Sequence, residues 1–172
     1  MLGSAAMRKL LPLAFLLVFA SCSDDGGLCS GNVCDFECGN GCGATCQDVA
    51  ECIAGCTDNC DLRCINSTNC DISCDSSCSV TCSGTSTCAA ECGDDCDYLC
   101  ENVNDCTPTV GDDSVVECGA SVANCSVTCV GDCSVTCTSA TNCNVTCQEG
   151  DQLSCANGII ACGVCPPVTN PS

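Results

Sequence analysis

Cysteine is the side chain through which this sequence could do chemistry, with 29 among 172 residues. Thiols can join as disulfides or, as thiolates, hold a soft metal. Thiolate metal cages favour tight Cys-x-Cys and Cys-x-x-Cys spacings, and only Cys162-Gly-Val-Cys165 has such a form. The chain has no His. That removes the commonest general base and the Ser-His and Cys-His nucleophile pairs. No phosphate-cradling loop or dinucleotide fingerprint is present either. The expectation is a non-enzymatic protein whose cysteines are oxidised, hence an exported one.

The spacing says what the cysteines build. From Cys34 they fall at 34, 38, 42, 46, then 52, 56, 60, 64, then 70, 74, 78, 82, then 88, 92, 96, 100, a period of 18 residues. The fifth unit keeps the register through Cys106, Val110, Ser114 and Cys118. The sixth, at Cys125, Cys129, Cys133 and Cys137, follows after one extra residue. The seventh reads Cys143, Cys147, Asp151, Cys155, and Cys162 opens a truncated eighth.

Between paired cysteines stands a residue that is never charged, as in Cys70-Asp-Ile-Ser-Cys74 and Cys78-Ser-Val-Thr-Cys82. Cys, apolar and Cys at alternate positions is the pattern of a strand with one buried face. The three-residue connectors, Thr-Asp-Asn and Gly-Asp-Asp among them, are turn-like. Each unit is therefore strand, turn, strand and five-residue loop. The loop centre (Val49, Ser67, Thr85, Val103, Ala140) is small or apolar and suited to an inward position. Stacked units predict an all-β fold, a β-solenoid of about seven 18-residue coils, roughly 34 Å long at one strand spacing per coil. Pro108 cannot donate to a ladder and predicts a local distortion in the fifth coil.

Pairing follows from bookkeeping. The fifth coil lacks its second and third cysteines together, so losing both strands nothing if second pairs with third. That predicts Cys38–Cys42, Cys56–Cys60, Cys74–Cys78, Cys92–Cys96 and Cys129–Cys133. Pairing each fourth cysteine with the next first accounts for both chain ends. It gives Cys29–Cys34, Cys46–Cys52, Cys64–Cys70, Cys82–Cys88, Cys100–Cys106, Cys118–Cys125, Cys137–Cys143 and Cys155–Cys162. Cys147, facing Asp151, is then left to pair with Cys165. All cysteines but Cys22 are used, an even number, as a closed framework requires.

Charge is the second feature. Arg8 and Lys9 are two of the three basic residues, so beyond the N-terminal segment Arg63 faces 22 carboxylates. This excludes a generic nucleic-acid binder, whose phosphate contacts need Lys and Arg. It also predicts repulsion from anionic lipid. Stacked turns would bring Asp58, Asp94, Asp95, Asp112, Asp113 and Asp132 to one edge, a possible Ca2+ site. The edge resembles the calcium-binding β-rolls of secreted bacterial proteins, although their glycine-rich nonapeptide is absent. Outward Thr45, Thr81 and Thr136 share a column that Arg63, Leu99 and Glu117 interrupt, so no flat threonine array is expected.

The N-terminus differs from the rest. Arg8 and Lys9 precede an apolar run from Leu10 to Ala20, too short to span a bilayer, with small residues at its end. Phe19-Ala20-Ser21-Cys22 resembles the lipobox of bacterial lipoproteins, with Phe19 standing where an aliphatic is usual. The resemblance implies a signal peptide over 1–21, lipidation of Cys22 and attachment to a bacterial cell envelope, at the outer membrane or cell surface. Residues 22–28 then form the anchor and its tether, 29–165 the repeats and 166–172 a loose tail. The expected partner is the membrane, through the lipid, and the sequence names no protein or glycan ligand.

Overall fold

The structure, a computed structural model, describes residues 27–167; the expected signal, Cys22 and residues 168–172 lie outside them. It is an all-β solenoid of about seven coils. A short lead strand, β1 (Gly27–Cys29), begins two residues inside the stretch expected as tether. The coils then follow as strand pairs. They are β2 (Val33–Cys38) with β3 (Gly43–Gln47), β4 (Glu51–Asp58) with β5 (Asp61–Ile65), and β6 (Asn69–Ser76) with β7 (Ser79–Ser83). Next come β8 (Thr87–Asp94) with β9 (Asp97–Glu101), β10 (Asp105–Val110) with β11 (Ser114–Cys118), and β12 (Asn124–Cys129) with β13 (Cys133–Thr136). The chain closes with β14 (Asn142–Cys147), β15 (Gln152–Ser154), one 3-10 turn at Ala156–Gly158 and β16 (Ile159–Cys162).

First strands of each coil stack in parallel into a seven-stranded sheet, and second strands form a nine-stranded one. The register is one coil per strand, so each cysteine lies over its equivalent: Cys34 beside Cys52, Cys52 beside Cys70, Cys70 beside Cys88. Alternation decides which residues face in. In β6 the exposed Asn69, Asp71 and Ser73 alternate with buried Cys70, Ile72 and Cys74. The inner columns are narrow, filled by sulfur and by one apolar residue per strand, such as Leu62, Ile72, Val80 and Val116. Val49, Ser67, Thr85 and Val103 are buried, so the loop supplies a third inner side as expected, and Ala140 packs partly against the core. The longer loop after Cys118 does the same with Val122, its extra residue being taken up outside.

Two columns of left-handed residues turn the corners. The third turn position (Gly41, Asn59, Ser77, Asp95, Asp113, Gly150) and the second loop position (Asp48, Asn66, Gly84, Asn102) have φ between 52° and 73°. Gly, Asn and Asp reach that region most readily, which explains the polarity of the corners. Through the regular coils, from Gly41 to Asn102, each such residue donates its N–H to the coil above. Asn59 N–H meets Ser76 O at 3.1 Å, Ser77 meets Asp94 O at 2.8 Å, and Asn66 meets Ser83 O at 2.9 Å. The corner geometry therefore continues the ladder rather than breaking it.

The distortion predicted at Pro108 is small. Pro108 is fully buried and keeps its place beside Ala90 of β8. On the β12 side the ladder matches Asp105, Cys106, Thr109 and Val110 but skips Thr107 and Pro108, as a residue without an N–H dictates.

The C-terminus departs from the repeat. The seventh coil completes its first strand, β14, but its second side is not β15. Instead β16 enters antiparallel against β13, with Cys162 facing Cys133, and β15 pairs antiparallel on the outside of β16. The expected truncated eighth coil is thus a hairpin that folds back over the end of one sheet.

Candidate functional site

Fourteen cysteine pairs stand at disulfide distance, with Cα–Cα separations from 5.6 to 6.6 Å. Twelve of them have the partners that the bookkeeping assigned, from Cys29–Cys34 through Cys137–Cys143. Two do not. Cys147 pairs with Cys162 and Cys155 with Cys165, in place of Cys147–Cys165 and Cys155–Cys162. The hairpin is the reason. Cys147 lies over Cys129, in the second column, and the reversed β16 sets Cys162 over Cys133, in the third column that Asp151 leaves empty. The second-to-third bridge is therefore kept in the last coil, with its second half delivered from the opposite direction.

The fifth coil shows what replaces a bridge. Val110 is fully buried where a second cysteine would stand. Ser114, 1% exposed, accepts the N–H of Cys96 at 3.1 Å and reaches the carbonyls of Gly93 and Asp112 at 3.3 Å. A buried hydroxyl is acceptable there because it is bonded.

The acidic turn edge is built differently from a cation cage. Asp94 Oδ1 accepts the Asp112 N–H at 2.8 Å, and Asp112 Oδ1 accepts the Asp132 N–H at 2.7 Å. Ser76 Oγ donates to Asp58 Oδ1 at 2.6 Å, and Thr57 to Asn40 in the same way one step earlier. These carboxylates act as rungs to the next coil: Asp94 and Asp112 each cap a peptide N–H, and Asp58 accepts the Ser76 hydroxyl. Gly111 and Gly131 sit under the oxygens of Asp94 and Asp112, where a Cβ would collide with them. Asp95 and Asp113 are left-handed corner residues, exposed like Asp94, Asp112 and Asp132. Among the described residues no three carboxylates bring oxygens within 4.8 Å of one another, and the groups that do approach so closely are cysteines already in disulfides.

Arg63 forks onto Asp61 at 2.8 and 3.0 Å, both side chains about half exposed, which contributes little to stability. Thr45, Arg63, Thr81, Leu99, Glu117 and Thr136 do share one outward column, interrupted as read. The polar ladder on the other sheet escaped the sequence reading. Asn142 donates to Asn124 at 2.9 Å, Asn124 to Asp105 at 2.8 Å, and Thr87 to Asn69 at 2.7 Å. Its signal was present as a polar residue just before the first cysteine of the second to seventh coils, from Glu51 to Asn142, with Val33 in that place in the first.

Tyr98 is the single tyrosine and is 2% exposed. Its hydroxyl touches the Cys82–Cys88 bridge, 2.8 Å from Cys88 Sγ and 3.7 Å from Cys82 Sγ. Burial pushes its ionisation well above that of a free phenol. The folded protein therefore holds this proton at a pH where the unfolded chain has released it. Stability from this group is full below pH about 10 and declines as the pH rises beyond that. In an alkaline titration followed by ultraviolet absorbance, the native protein should show no phenolate where the reduced chain shows it fully. Coincident curves would place Tyr98 in solvent.

Among the described residues no helix is long and apolar enough to cross a membrane. Comparison with protein-family models, with curated proteins and with solved structures finds no match for this chain.

Proposed function

We propose that this chain is a non-enzymatic lipoprotein of the bacterial cell envelope, which displays a rigid acidic rod in a structural or adhesive role. The observation that carries this reading is the division of residues between inside and outside. A core of cysteines and mostly aliphatic residues runs from Cys34 to Cys162, while the carboxylates stand on the outer faces and corners. The grooves between them are open to solvent, lined by ordinary strand and turn residues such as Ser73, Asp75, Glu91 and Thr109. Such a body presents surface, and its charge opposes collapse onto anionic lipid and association with its own kind. The lipobox-like Phe19-Ala20-Ser21-Cys22 supplies the anchor.

The test is fractionation of cells that express the full chain and its Cys22→Ser variant. The wild type should sediment with membranes, carry a lipid on its N-terminal cysteine by intact mass and be stained on intact cells by antibody to the rod. The variant should appear in the soluble fraction. A variant that stays with the membrane, or an unlipidated wild type, overturns the anchor. Staining only after permeabilisation overturns surface display.

A further inference from the structure

The cysteines are not equally shielded. Those of the first six coils are nearly all buried, most of them at 0–8% exposure. Cys29, Cys137, Cys143, Cys147 and Cys155 are partly buried, and Cys165 is the only exposed cysteine among the described residues. Cys155–Cys165 is thus the one bridge among the described residues with an exposed cysteine. It is also the one that lies outside the stack. It joins the end of the hairpin, beyond Ser154, to the strap that follows β16, with a sequence separation of 10.

What this bridge holds is the cap. The nine-stranded sheet outruns the seven-stranded one at this end because β15 covers β16, while β14 has no strand above it. All three residues of β15 are exposed, so burial contributes little to keeping the strand in place. β16 is secured separately, by β13 and by Cys147–Cys162. Opening Cys155–Cys165 would free β15 and leave β16 and β14 as open edges at the same level. Such paired edges are where further strands add.

We propose that Cys155–Cys165 is a thiol–disulfide exchange site for an external dithiol, and that exchange there uncaps this end of the rod. A thiolate of the dithiol attacks Cys165 Sγ, the bond to Cys155 breaks, and Cys155 leaves as a thiolate that takes a proton from water. The second thiol of the dithiol then attacks the mixed disulfide and releases Cys165. The dithiol leaves as a disulfide, having given two electrons, and both cysteines are free thiols. Cys147–Cys162 keeps β16 in register throughout.

The experiment is a titration of the full chain with dithiothreitol, trapped with an alkylating agent and mapped by peptide mass. The label should appear first on Cys155 and Cys165, with the ladder cysteines unlabelled at the same dose. First or equal labelling of Cys137–Cys143, Cys29–Cys34 or any buried bridge overturns the exchange site. Hydrogen exchange on the selectively reduced protein then reads the cap. Residues 152–154 should exchange at least tenfold faster, while β13 and β12 keep their protection. Unchanged exchange at 152–154 overturns uncapping, and a Cys155→Ser/Cys165→Ser variant should reproduce the fast exchange without any reductant.

Discussion

Full reduction should unfold the rod completely. Twelve of the bridges close loops with sequence separations of only 4 to 7. In the chain-entropy view a loop of that size restrains the unfolded state by about 2 kcal/mol. One such bond is modest, but here they follow one another along the chain, so the oxidised unfolded state is a string of small rings. Releasing all of them frees far more than the net stability of about 5–15 kcal/mol that a folded domain possesses. The interior has nothing to offset this loss. The chain has no Trp, and one Phe and one Tyr are the only aromatic residues in the core. Reduced thiols also need more room than a bonded sulfur pair, in columns that are already filled. Circular dichroism under strong reductant should lose its strand signal, and the hydrodynamic radius should rise to that of an unfolded chain. A reduced, alkylated protein that keeps its strand signal would show that the ladder hydrogen bonds suffice alone.

How much of this was legible depends on how local each determinant is. The period, the inward face and twelve bridges are written in spacing alone, because a strand alternates and a coil repeats. The role of Asp94 and Asp112 was not, since a carboxylate that caps the next coil's N–H looks the same in sequence as one that awaits a cation. What distinguishes them is the glycine one coil later, at Gly111 and Gly131, which makes room for the oxygen. The reversal at the C-terminus is a contest between two local signals. Asp151 keeps the cysteine register and suggests one more parallel coil. Asn157-Gly158 is a turn signal between two short strands, with Asn157 at φ 61°. The hairpin prevails because it returns a cysteine to the empty third column and covers one sheet edge.

Removing a whole coil should cost less than removing one residue. Excision of residues 70–87 joins Asn69 to Cys88 and keeps the interval from Cys64 to the next cysteine unchanged. Cys64 then meets Cys88, β4 stacks under β8 and β5 under β9, all with the register they already use. The inner columns close with Ala54 beside Ala90 and Leu62 beside Tyr98, and the loop column with Ser67 beside Val103. In a stack where each coil touches only its neighbours, one coil and one interface are lost while the others stay as they were. The product should be exported, show no free thiol in the rod and be shorter by about 4.8 Å. Deleting Ile72 alone should be far worse. The alternation has period two, so the loss turns one of the flanking cysteines, Cys70 or Cys74, from the core to the solvent. Its bridge cannot close, and a buried column is left with a gap. Free-thiol titration and yield of exported protein would compare the two. Equal yields, or free thiols in the coil deletion and none in the Ile72 deletion, would mean that register does not govern this fold. The loop after Cys118 already shows where an added residue is harmless: Ser121 takes the left-handed corner at φ 58° and Val122 still points inward. A residue can thus be gained at a corner without disturbing the columns, whereas within a strand the columns themselves depend on the count.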